Sequence, residues 1–291
     1  MSLDLIRSHT LTAGQHVGDL LWWTLADARI SRSLLESIWR DAGLSSGWLP
    51  DPPTPEKALR AAVRESQVGQ PSYLLRLGKE DDHEIVFAVV LESRDPSGNV
   101  HHAQEARVRL DRHAAAKLDS DDPGHDLVVA ISTAYDRLLA THTVDDVRRA
   151  VLKTLDSCAA VTLRDHGGVY WVPAPHAETL RQLQSAVSMI GASRLDVVPI
   201  HATPEAITAL GSAARASIEE ELAALRSEIE GFVTDPPGRA STLARRLETF
   251  EDLRSKARLY HSVLQVHVQD LESALTKLTA QVEGLLQNRA A

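Results

Sequence analysis

The sequence predicts an α+β protein: a mixed globular body over residues 1–202, then a C-terminal antiparallel helical hairpin over 203–291. Three observations lead there. Residues 72–111 hold three short apolar runs parted by turn chemistry, the pattern of an antiparallel β-meander. Residues 161–200 read strand, strand, helix, strand, a β-β-α-β unit. From Thr203 to Leu285, apolar residues recur at spacings of three and four, broken once by TDPPGR at 234–239.

The elements follow in order. Gly18 to Asp27 is short, apolar and aromatic, and reads as a buried strand. Ser31 to Ala42 places Leu34, Leu35, Ile38 and Trp39 on one helical face, and Gly43 stops it. In LPDPPTPEKALRAAV, Thr54 caps a helix, Pro55 suits its first turn and Glu56 favours the positive end of its dipole; it runs to about Glu65. Tyr73 to Leu77, Glu84 to Glu92 and Val100 to Leu110 are the meander strands, with a Pro-Gly turn at Asp95 to Asn99. In the last strand Ala106, Val108 and Leu110 face one way and Glu105, Arg107 and Arg109 the other, so one sheet face is solvated. Two helices follow, Asp126 to Ala140 and a second capped by Thr143 that runs to about Ser157.

The stretch RDHGGVYWVP at 164–173 raises a choice between a phosphate loop and a hairpin. A phosphate loop leads from a strand into a helix N-terminus. Here a strand follows Gly167 and Gly168, so the glycines are read as the turn of a hairpin. A helix at 176–190 and a strand from Leu195 to Ile200 complete the unit.

The C-terminal stripe divides at the prolines into helices of about 45 Å and about 70 Å. The longer one must overhang the shorter, leaving Leu271, Leu275, Leu278, Val282 and Leu285 in need of cover. That stripe, with Leu264 and His267, is the expected interface for a protein partner or for self-association as a coiled coil.

Composition limits the function classes. Hydrophobic residues at 43% allow a sizeable core, and aromatics at 4% require it to be built from Leu, Val, Ile and Ala. A net charge of -9 disfavours a general nucleic-acid coat or a binder of anionic membranes, though not a local basic patch. Cys158 is the one cysteine, so no disulfide forms within the chain, as expected in a reducing cytosol. The opening MSLDLIRSHT has no signal-peptide layout, and no apolar run approaches the roughly 20 residues that span a bilayer. A cytoplasmic protein without a membrane partner is expected.

The chemistry-bearing residues are sparse. His101, Glu105, His113 and His166 are the candidate metal ligands, but no zinc-type spacing joins them, and surface histidines are the simpler reading. The aspartates of DSDDPGHD resemble a calcium loop until its twelfth position, Ala130, where a carboxylate is required. Gly78-Lys79 lacks the rest of a phosphate-loop motif, and Cys158 reads as a buried thiol. No catalytic residue and no cofactor are expected.

The wording of several segments resembles a family of bacterial and phage proteins known as a domain of unknown function. The resemblance rests on LLWWTLADARISRSLLESIWRDAGL, the proline-rich LPDPPTPEKALRAAV, GGVYWVPAPHAETLRQL and SRLDVVPIHAT, then the helical tail. Its most specific part is the GGVYWVP block. In such relatives an acidic-aromatic pair is expected in the helix after the prolines, whereas Lys57 and Leu59 stand there in this chain. The resemblance implies a mobile-element or phage-defence setting and supplies no catalytic residues.

The expected function is a non-enzymatic scaffold or adaptor whose C-terminal helices self-associate or dock on a partner such as an ATPase or a phage-defence assembly, motivated by the unmatched stripe from Leu271 to Leu285. One alternative is nucleic-acid binding through Arg107, Arg109, Arg148, Arg149, Arg245 and Arg246. The other is a metal-dependent enzyme using His101, Glu105, His113 or His166.

Overall fold

The computed structural model describes residues 14–26, 29–114, 117–164, 168–234, 240–266 and 271–290. The first elements are β1 (His16–Thr24), β2 (Ile30–Ser31), α1 (Arg32–Asp41) and α2 (Pro55–Gln67). Then come β3 (Tyr73–Glu80), β4 (Glu84–Arg94), β5 (Val100–Asp111) and β6 (Leu118–Ser120). The middle of the chain gives α3 (Asp126–Ala140), β7 (Thr141–His142) and α4 (Val144–Ser157). The last part gives β8 (Val161–Thr162), β9 (Tyr170–Pro173), α5 (Ala177–Ser188), β10 (Arg194–His201), α6 (Pro204–Thr234), α7 (Ala240–Leu264) and α8 (Leu271–Ala290). Helices and antiparallel sheets are segregated, so the fold class is α+β as expected.

The expected division at 202/203 does not separate compact units. One unit gathers the described parts of 1–26, 41–44 and 151–291, and the other those of 27–40 and 45–150. The reason lies in strand pairing. β1 pairs antiparallel with β10 along one edge and with β9 along the other, so the sheet order is β10-β1-β9-β8. The β-β-α-β unit therefore needs the N-terminal strand at its centre and cannot stand apart from it.

In this first unit, Leu20, Trp171 and Ile200 pack with the core of the C-terminal helices. Arg181 of α5 reaches Asp19 of β1 at 2.8 Å. The Asp19 side chain is fully buried, so this ion pair offsets the cost of holding a carboxylate in the sheet. The hairpin reading of 164–173 holds at its base, where β8 pairs antiparallel with β9; Gly167 lies outside the described residues.

The C-terminal region differs from the expected two-helix hairpin. The second run breaks after Leu264, where Gln265 takes a left-handed φ of 58°, and α8 begins at Leu271. Glu228–Arg246 and Glu221–Lys256 pairs run antiparallel between α6 and α7, and α8 contacts both of them. The chain folds back once more, so no overhang is left among the described residues. Leu264, Leu271, Leu275, Leu278 and Val282 are buried in the chain's own core, and Leu285 is half-buried against it. His267 lies outside the described residues.

The second unit is the expected meander, β3-β4-β5-β6, with α2 and α3 closing one face. The alternation read in β5 is observed: Ala106, Val108 and Leu110 are buried with Leu59, Ile131 and Tyr135, while Arg107 and Arg109 are exposed. A two-stranded clip joins β2 to β7, pairing Ile30 with His142 and Ser31 with Thr141. That clip brings the start of α1 to the junction of α3 and α4.

Candidate functional site

Chemistry gathers at that junction. The clip ends at Ser31, so Arg32, the first residue of α1, extends beside the last turn of α3. Its Nε donates to the Leu139 carbonyl at 2.8 Å, one of the four orphan acceptors that end α3. Its Nη1 donates to the Pro50 carbonyl at 3.3 Å and approaches both ring nitrogens of His142, at 3.3 and 3.4 Å. Only an unprotonated imidazole nitrogen can accept it. Burial, then the Arg32 charge, holds the His142 imidazole below its ordinary value, which keeps it in that accepting form.

Two helix starts border the same place. Thr54 caps α2 by accepting from the Lys57 amide at 3.4 Å, with Pro55 at the first position. Thr143 and Asp146 cap α4 reciprocally: the Thr143 amide donates to Asp146 Oδ2 at 2.8 Å, and the Asp146 amide donates to Thr143 Oγ1 at 3.3 Å. Asp146 is buried, and Arg149 pairs with its other oxygen.

Between these ends lies a cleft of about 590 Å³. Arg32, Lys57 and Arg149 supply cationic groups to it, and Asp51 and Asp146 acidic ones, so its lining is net positive. Pro50, Pro52, Pro53 and Leu138 give it apolar wall. Arg32 has no carboxylate within ion-pair reach among the described residues, and Lys57 likewise forms no ion pair there. Desolvation by burial pulls the Arg32 guanidinium below its ordinary value, against the opposing pull of Asp146 and then Asp51. A half-buried guanidinium with no carboxylate at ion-pair distance among the described residues, lining a cleft with Lys57 and Arg149, is suited to an anion.

The residues singled out from sequence are placed elsewhere. His101 approaches Asp95 at 3.4 Å. Glu105 accepts from the Tyr73 hydroxyl at 3.0 Å and lies 3.1 Å from His125 Nε2. His113 packs edge-on against His83, with ring centroids 5.4 Å apart. The proposed ligands thus go to three different partner sets, and His166 lies outside the described residues. Among the described residues no group of three or more His, Cys, Asp or Glu is arranged to hold a metal ion.

Most of the basic residues carry ion pairs. Arg107 pairs with Asp121, Arg109 with Glu84 and Asp119, Arg148 with Asp145, and Arg246 with Glu228. Arg245 and Arg246 belong to the first unit, the other four to the second. Cys158 is buried as read, and that burial raises its thiol above the ordinary range.

Arg149, Thr54 and Thr143 were each legible in the sequence, but as separate features. Arg32 was missed, because its meeting with His142 depends on a pairing across 110 residues of chain.

Residues 16–291 match the model of a family described as a family of unknown function (DUF6744), and the chain belongs to that family. No curated protein and no solved structure matches it. Among the described residues no helix is long and apolar enough to cross a membrane.

Proposed function

We propose that this member of the DUF6744 family binds an anionic ligand in the cleft between the starts of α2 and α4, with Arg32 as the central contact. The observation that supports the reading is the state of Arg32. Its guanidinium is partly desolvated and held in place by two carbonyls and an imidazole, and no carboxylate among the described residues lies within ion-pair distance of it. Lys57 and Arg149 add charge around the same space, and the positive ends of two helix dipoles add to it. An adaptor role through the C-terminal helices was motivated by uncovered leucines, and those leucines sit in the chain's own core.

The test is calorimetric titration of the full chain with pyrophosphate at low ionic strength. Wild-type protein is expected to bind, and Lys57→Ala and Arg149→Ala, both at exposed positions, to weaken binding by about tenfold each. Absence of binding, or binding untouched by either substitution, overturns the reading.

A further inference from the structure

Resting on that anion-site reading, we infer that the ligand is an organic diphosphate with a flat apolar body, of the nucleoside diphosphate class, rather than a free inorganic anion. The size of the cleft is the first argument. At about 590 Å³ the cleft has room for much more than a phosphate ion.

The distribution of chemistry in the lining is the second. Three cations of different elements, Arg32 from α1, Lys57 from α2 and Arg149 from α4, match a ligand whose negative charge is spread over more than one phosphoryl group. With Nε and Nη1 of Arg32 held by Leu139, Pro50 and His142, its Nη2 is the donor it offers a phosphate oxygen, and the lysine serves as a point charge.

The remaining wall is unsuited to a bare anion. Pro50, Pro52, Pro53 and Leu138 contribute surface that a fully ionic ligand would leave wet, and that a planar ring would cover. Asp51 is exposed at the cleft and forms no ion pair among the described residues. A carboxylate there accepts from hydroxyl or amino groups, both of which a nucleoside carries. The hydroxyls of Thr141 and Thr143 already donate within the protein, to the Arg137 carbonyl and to Asp146.

The experiment compares ADP, pyrophosphate and inorganic phosphate by calorimetry on the full chain, in buffer without divalent cations. ADP is expected to bind about tenfold or more tightly than pyrophosphate. Pro52→Ala and Asp51→Asn, both at exposed positions, are each expected to weaken ADP more than pyrophosphate, so that the ratio of the two affinities falls. Equal affinity for ADP and pyrophosphate overturns the inference and leaves the anion site intact. Binding of neither overturns both. ADP binding that survives Lys57→Ala and Arg149→Ala places the nucleotide outside this cleft and overturns the inference as well.

Discussion

A side chain on Gly18 would have nowhere to go. Its φ is +150°, and a Cβ would stand 2.3 Å from the Val172 carbonyl oxygen and 2.4 Å from Trp171 Nε1. Both neighbours belong to β9, which pairs with β1 at this point, so relief requires the strands to part. Gly18→Ala is therefore expected to destabilise the protein by about 3 kcal/mol, read as a lowered midpoint in urea unfolding. A midpoint within error of wild type would contradict this geometry. His142 sets a second expectation. Its folded value lies below the ordinary 6.5, because burial and Arg32 oppose its protonation. The unfolded chain then takes up a proton near pH 6.5 that the folded chain refuses. Stability from this residue is thus complete above that pH and declines as pH falls through it. His142→Gln should flatten that decline between about pH 7 and 5, as measured by denaturation at stepped pH. At this scale the sequence is informative about local chemistry. Thr54 and Thr143 announce their helices by capping alone, whereas nothing near Arg32 announces His142.

The turn between α7 and α8 shows where element reading stops working. Leu264 and Leu271 keep the three-and-four spacing through the break, and no glycine or proline stands from 265 to 270. A helix and a helix-turn-helix write the same stripe if the turn preserves its phase. The structure marks the turn by backbone instead: Gln265 adopts φ 58°, with its amide donating to the His261 carbonyl at 2.9 Å. His261 Nδ1 then reaches the Val266 carbonyl at 3.2 Å. A left-handed residue with a Cβ costs about 1 kcal/mol. Gln265→Gly should therefore raise stability by about that amount, detected as a higher melting temperature. A fall in melting temperature would argue for a continuous helix here. By contrast, α2 and α3 were legible almost to the residue, because a cap, a proline or a polar loop bounds each.

At the scale of the whole molecule, the C-terminal stripe does a different job from the one its length suggests. Leu275 is fully buried among α6, α7 and α8. Leu275→Ala is expected to cost about 3 kcal/mol as a core cavity, measured by chemical denaturation. An effect below about 0.5 kcal/mol, the size of a typical surface change, would return the stripe to the outside of the protein. The fold class was readable, since meander, helices and hairpin each carry local patterns. The unit boundary was not, because β1 gives no sign of where its partners lie. Those partners begin at Tyr170 and Arg194, far along the chain from Thr24. This separation has a consequence for synthesis. At 5–20 residues per second, a ribosome takes roughly 7–30 s to pass from β1 to β9. For that interval the strand HVGDLLWWT is made but unpaired, while all the residues of the second unit emerge behind it. An apolar strand waiting this long is the natural substrate for a chaperone that holds nascent chains, and slowed translation between residues 24 and 170 should lower the yield of native protein.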